Sequence, residues 1–333
     1  MKVKFIYAHG TSWMINWVEV GLRVSQDLKI YIGDQQPTSQ GSATVAGLNG
    51  VTAQWDAMPQ NDPFAMLLDP DKWEVERIQY PASMIPMSTS MTNGIDQVVD
   101  IISNLPAGQP FALGGYSQGA AVMSTVYNEI RYGSLTSRQS TFLGGVMFGN
   151  PRRQQDYRGP VGGTWSGLWY NEAASTGGRG SFPATGQFAR LSSCEATKWV
   201  EFAYPGDVFT CNGASTLGDN WSAGNDAITD MSASEIIAYL SNLGPILDAV
   251  GAAFAKGEES LEKYDATGQP IILGGSGHTA YPLLPPYNVA TTDTCYQVAL
   301  KFLEGLADEY ATAPILQPSS TAGWSTTLLP PAA

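Results

Sequence analysis

The segment Gly115-Tyr-Ser-Gln-Gly119 sets a serine between two glycines at the G-x-S-x-G spacing of a nucleophile elbow. In that motif the serine sits on a sharp strand-to-helix turn, and small flanking residues let strand and helix approach. An apolar run, Phe111-Ala-Leu-Gly-Gly-Tyr116, precedes Ser117, and Ala120, Ala121 and a helical periodicity follow it. That context fits the elbow better than a Gly-rich turn around an inert serine. A serine hydroxyl is a weak nucleophile at neutral pH and needs a base within hydrogen-bond reach, most often histidine. The chain has two histidines. His9 ends the first apolar run and precedes the serine, whereas His278 lies in Gly274-Gly-Ser-Gly-His278-Thr-Ala-Tyr-Pro, just before the last helical segment. For a serine, acid, histidine order, His278 is the expected base, and a structural loop histidine is its alternative. The acid between them is expected at Asp207, where Ala203-Tyr-Pro-Gly-Asp207 leaves an apolar segment. Asp219, Asp226 and Asp230 are rivals in polar stretches with no strand to aim them.

An oxyanion formed by attack of Ser117 needs preorganised donors, one from the residue after the nucleophile and one from the loop after an early strand. These are the backbone N–H of Gln118 and that of Thr11 or Ser12, with an ordinary strand-end turn as the alternative for His9-Gly10-Thr11. Met84, Met87 and Met91, with Trp165 and Trp169, could line an acyl groove, although such side chains more often fill core gaps. Gly-Gly pairs stand at 114, 144, 162, 177 and 274, yet none opens a phosphate loop and no G-x-G-x-x-G follows a strand. No nucleotide cofactor is expected. Two distant histidines, and cysteines at 194, 211 and 295 without zinc spacing, give no expectation of a catalytic metal.

These residues need a scaffold that the apolar pattern outlines. Val3–Ala8, Phe111–Tyr116 and Phe142–Phe148 read as buried strands, and 198–204 as a further one. Helices are expected from a cap at Asn93 through Ile102, from Ser117 through Ile130, and from Thr294 to about Tyr310. Strand, helix and strand in alternation imply an α/β fold with a mostly parallel sheet and right-handed crossovers. Two regions depart from it. Residues 159–186 are rich in Gly, Ser and Thr, while 228–256 are apolar and helical, opened by the capping box Ser232-Ala-Ser-Glu235 and interrupted by Pro245. The expected organisation is a catalytic domain over 1–311, a helical insertion at about 212–272, and a Pro/Ser/Thr-rich tail over 312–333.

With 333 residues, 43% hydrophobic and only 14% charged, the chain can bury a large core. Seventeen Lys and Arg against thirty Asp and Glu give a formal charge of -13, which repels a phosphate backbone and disfavours nucleic acid as a partner. The first apolar run reaches His9 and Gly10 too soon for a signal segment, and no stretch reaches the roughly 18 apolar residues of a membrane span. A soluble chain without an export signal is the expectation. Three cysteines cannot all pair within one chain; buried thiols are expected, with a Cys194–Cys211 disulfide as the alternative.

Together, His9-Gly-Thr11, Gly-Tyr-Ser117-Gln-Gly-Ala120, Phe148-Gly-Asn-Pro151, Pro205-Gly-Asp207 and the late His278 resemble the cutinase-like serine esterases of the α/β-hydrolase class, and most of all the lysin B family of mycobacteriophages. That resemblance implies an α/β-hydrolase with a helical insertion between acid and histidine. It also implies a lipid ester of the cell envelope as substrate, the bond between mycolic acids and arabinogalactan. The place implied is the host cytoplasm until lysis exposes the envelope. Secreted cutinases place two cysteines around the acid; here Cys211 suits one position, but Ala203 stands where the other would be. A secreted-type cutinase or lipase, an acyltransferase that hands the acyl group to a sugar, and a non-catalytic envelope-binding protein are the competing readings.

Overall fold

The structure, a computed structural model, describes residues 1–11, 42–48, 51–56, 63–82, 87–153, 198–203, 210, 262–264, 270–272, 281, 285 and 292–312. Its frame is a five-stranded parallel sheet in the order β4-β1-β5-β6-β7, with β1 Val3–Ala8, β4 Trp73–Arg77, β5 Phe111–Tyr116, β6 Phe142–Phe148 and β7 Trp199–Phe202. The strands expected at 3–8, 111–116 and 142–148 form with those bounds, and the one expected over 198–204 is four residues long. Parallel strands demand crossovers that cover both faces, which is why β1 and β5 are apolar at nearly every position.

Successive side chains of a strand point to opposite faces, and the core divides accordingly. Phe5 and Tyr7 of β1 join Phe148, Phe202, Val298 and Phe302 on one face, where the helix α4, Cys295–Thr312, packs. Ile6 and Ala8 join Ile102, Leu113, Val126 and Trp199 on the other, covered by α2, Met87–Asn104, and α3, Gln118–Tyr132. A short helical turn, α1, Phe64–Leu67, wedges Phe64 into the first cluster, its ring stacked 4.5 Å from that of Tyr296. Thr294 caps α4 reciprocally: its Oγ1 accepts from the Gln297 N–H at 3.2 Å, and Gln297 Oε1 accepts from the Thr294 N–H at 3.0 Å.

Several elements differ from expectation. α2 begins at Met87, and Asn93 lies inside it, because Met91 and Gly94 are buried and continue the face of Val98 and Ile102 upstream. Met91 is therefore core and Met87 packs against the core, while Met84, Trp165 and Trp169 lie outside the described residues. Edge strand β4 escapes an apolar-run reading because Trp73-Glu-Val-Glu-Arg77 is half polar; Lys4 of β1 reaches Glu74 at 2.8 Å and Glu76 at 2.6 Å across the pair. β2, Ser42–Ala46, and β3, Thr52–Asp56, form an antiparallel pair in a region with no expected element. Near the end of the expected insertion, β8, Glu262–Tyr264, pairs antiparallel with β9, Pro270–Ile272. The expected helices of 228–256, the 159–186 loop, Cys194, Cys211 and the tail lie outside the described residues; Cys295 is buried. Among the described residues no helix is long and apolar enough to cross a membrane.

The load on the second core cluster is concentrated at Trp199, fully buried, stacked on Tyr127 at 4.7 Å and donating from Nε1 to Glu201 Oε1 at 3.0 Å. Trp199→Ala is expected to cost about 3–5 kcal/mol of stability, seen as a lower urea midpoint at unchanged m. A loss below about 1 kcal/mol would show that this contact does not carry the core.

Candidate active site

Ser117 closes β5 and opens α3 with its backbone at φ 54, ψ -122. A non-glycine residue pays on the order of 1–3 kcal/mol for such a conformation and keeps it only where the surroundings dictate it. Two bonds do so here: the Ser117 N–H donates to Phe148 O of β6 at 2.9 Å, and Ser117 O accepts from the Ala121 N–H at 3.1 Å as α3 begins. Close packing does the rest. A Cβ on Gly119 would stand 2.2 Å from Ala8 O and 2.4 Å from His9 O, so only glycine lets α3 rest on the end of β1. From Phe111 to Ser124 every residue is buried except Ser117, which is half-buried. The strained turn thus brings one polar residue out of an otherwise closed layer.

The end of β1 runs beside that serine. A Cβ on Gly10 would lie 2.7 Å from the Tyr116 ring and 3.1 Å from Ser117 Cβ. Thr11 follows, half-buried, and its Oγ1 accepts a bond from Gln118 Nε2 at 3.3 Å. Gln118 Oε1 in turn accepts from Ser90 Oγ of α2 at 2.9 Å. Since Thr11 Oγ1 accepts from Gln118, its own proton is left for another acceptor. The backbone N–H of Gln118 lies in the first turn of α3, where amides have no intrahelical acceptor. Ser117, Gln118 and Thr11 are therefore brought together; Ser12, Asp207 and His278 lie outside the described residues.

The chain on either side of Asp207 and His278 is placed. Gly149 N–H donates to Phe202 O at 3.0 Å, directly after the residue whose carbonyl holds the Ser117 amide, so β6 stitches the elbow to the end of β7. Asp207 stands five residues beyond Phe202 in sequence. Tyr281, three residues after His278, is buried with its ring 6.1 Å from that of Phe148.

Beneath this end of the sheet is a buried polar group with little signal in the sequence. Asn150 Nδ2 donates to Glu201 Oε1 at 2.6 Å and to Ser124 Oγ at 2.9 Å, and Trp199 Nε1 donates to the same Glu201 oxygen. Burial pushes the Glu201 carboxyl above the usual carboxylate range, opposed by the Trp199 and Asn150 donors and by the Arg153 charge. The signal available in sequence was a lone carboxylate inside the apolar run Trp199-Val-Glu-Phe202. Among the described residues no group of His, Cys, Asp or Glu is arranged to hold a metal ion.

The described residues thus form a parallel α/β sheet flanked by helices on both faces, with a strained serine at the carboxyl end of a central strand. The family model described as Cutinase matches residues 57–218. Among solved structures, lysin B from Mycobacteriophage D29 is similar at 19% identity over 91% of this chain and 100% of that one, with a TM-score of 0.48. An acetylxylan esterase is similar at 14% identity over 68% of this chain and 95% of its own, TM-score 0.33. A cutinase-like protein from Cryptococcus sp. is similar at 14% over 68% and 89%, TM-score 0.31. Among curated proteins no sequence matches.

His9 takes a structural place in this site. Its Nδ1–H donates to Gly10 O at 2.9 Å, its ring lies 5.1 Å from that of Tyr80, and its carbonyl accepts the Tyr80 hydroxyl at 2.6 Å. Burial, with a smaller push from the Arg77 charge and against the Gly10 bond, lowers its pKa from 6.5 to about 4. Between those values the unfolded ring binds a proton that the folded ring refuses, so stability falls as the pH drops from about 6.5 towards 4. Urea denaturation is expected to show about 2 kcal/mol less stability at pH 5 than at pH 7 from this group, a loss that His9→Gln removes. The same loss in His9→Gln would show that the ring titrates normally in the folded state.

Proposed function

We propose that this chain is a serine carboxylic-ester hydrolase acting on lipid esters, with Ser117 as nucleophile, His278 as base and Asp207 as the group that orients the base. The observation that carries the reading is the Ser117 backbone, held at positive φ by its bond to Phe148 and by the Gly119 contact with β1. Strain of this kind, kept at a point where a hydroxyl leaves a closed layer, is the mark of a nucleophile elbow.

The reaction then follows from the groups at hand. The Ser117 hydroxyl attacks the ester carbonyl while His278 takes its proton, and negative charge gathers on the carbonyl oxygen. The Gln118 N–H and the N–H of Thr11 or Ser12 receive that charge, joined by the Thr11 hydroxyl, whose proton the Gln118 amide leaves available. His278 protonates the departing alcohol, then activates the water that frees the acid from Ser117. Tyr281 and Phe202 support this assignment by chain length alone. Three residues reach at most about 11 Å and five at most about 18 Å, which is compatible with His278 and Asp207 serving Ser117. Neutral His9, committed through Nδ1 to Gly10, is poorly placed to serve as the base.

The residues that carry the resemblance to lysin B point to the mycolic acid–arabinogalactan ester as the substrate, and to release of mycolate from the envelope during phage lysis as the role. Hydrolysis of p-nitrophenyl butyrate and release of mycolate from purified mycolyl-arabinogalactan are the tests, on the wild type and on Ser117→Ala. Activity on both in the wild type, with a loss of at least about 10³-fold in a folded Ser117→Ala, is expected. Butyrate hydrolysis without mycolate release would leave a serine esterase of different substrate; full activity in Ser117→Ala would remove the mechanism.

A further inference from the structure

A buried arginine beside the chain that carries Asp207 calls for an explanation, because removing a charge from water is costly and well-packed apolar residues commonly do as well for stability. Arg153 is 1% exposed and Glu201 2% exposed. Arg153 follows the turn after β6, where its N–H donates to Asn150 O at 3.1 Å and the Arg152 N–H donates to Asn150 Oδ1 at 2.9 Å. Its guanidinium Nε donates to the carbonyl of Thr210 at 2.6 Å, and Thr210 is fully buried. Its charge also acts on Glu201, whose Oε1 is gripped by Asn150 and Trp199. Asn150 continues the group to Ser124 on α3, the helix that Ser117 opens, and Ser124 donates to Ala120 O at 2.9 Å.

This arrangement fixes both ends of one short stretch. Phe202 O is bonded to Gly149 N–H, and Thr210 O is bonded to Arg153 Nε, fifty-seven residues away in sequence. Asp207 lies three residues before Thr210. A charged donor to a backbone carbonyl is stronger than a neutral one, and at a fully buried carbonyl it has no water to compete with. We propose that Arg153 is a positioning residue for the acid: tied through Asn150 to the helix behind Ser117, it holds Thr210 and so helps to aim Asp207, three residues earlier in the chain, at the base. This rests on the reading of Asp207 as the triad acid. The carboxylate's task is to fix the orientation of the imidazole and to stabilise its charged form, so a loosened anchor weakens turnover and lets the histidine lose its proton at lower pH, with substrate binding unaffected.

The test is a double-mutant cycle in the full chain with p-nitrophenyl butyrate. Arg153→Lys keeps the buried positive charge near Glu201 but cannot give the same Nε bond; folding is checked by circular dichroism and urea midpoint. The expected result is kcat lowered about tenfold at unchanged KM, an acidic limb of kcat/KM moved to lower pH, and less than about a twofold further effect in an Asp207→Asn background. Wild-type kcat and pH profile in folded Arg153→Lys, or an equal loss with and without the Asp207 carboxylate, would overturn the anchor. Full activity in Asp207→Asn alone would instead remove the triad reading beneath it, and is recognised without Arg153 being changed.

Discussion

The backbone of Ser117 at φ 54 is the constraint from which the rest of this molecule can be understood. Such a conformation is unfavourable for a serine in isolation and survives only if neighbouring elements leave no alternative. The parallel sheet supplies the hold. β6 lies beside β5 and offers Phe148 O to the serine amide, β1 lies on the other side and receives Gly119 against its last carbonyls, and α3 starts at once. Two apolar clusters then lock the helices to the two faces of the sheet, so the strain is borne by the whole core.

The same geometry organises the chain beyond β1. Because α3 packs onto the end of β1, Gly10 and Thr11 must pass Ser117 at contact distance, and the Gln118 side chain falls between Thr11 and Ser90. His9 and Tyr80 close the layer beneath. Burial pushes the Tyr80 phenol up and the His9 imidazole down, and both changes keep the two groups uncharged where a charge would have no solvent. Gln118 thus joins three elements, its backbone opening α3 beside Ser117 and its side chain bridging Thr11 and Ser90.

How much of this could be read beforehand follows from where the information lies along the chain. The elbow was legible because strand, turn and helix are contiguous: Phe111 to Ile130 carries the apolar run, the glycines and the helical period in one window. The sheet strands that are buried on both faces were legible for the same reason. β4 was not, since an edge strand is half solvated and its alternation, Trp73-Glu-Val-Glu-Arg77, is a weaker signal than an apolar run. The β2–β3 pair had one available cue, Asn49-Gly50 between the two segments, which is a favoured hairpin turn pair. Asn93 reads as a cap for α2 because nothing in the sequence shows that Met91 and Gly94 are buried. Asn150, Arg153 and Glu201 gave almost nothing away, because their partners are some fifty residues distant and only the fold brings them together.

The central claim is that the strained serine is the reacting atom's host, and covalent capture tests it without assuming an ester substrate. The folded chain, treated with a fluorophosphonate and digested, should yield a single phosphonylated peptide with the adduct on Ser117, and none after the chain has been unfolded in urea before treatment. Labelling of the folded chain at another residue, or a rate on Ser117 no faster than on the unfolded chain, would contradict it.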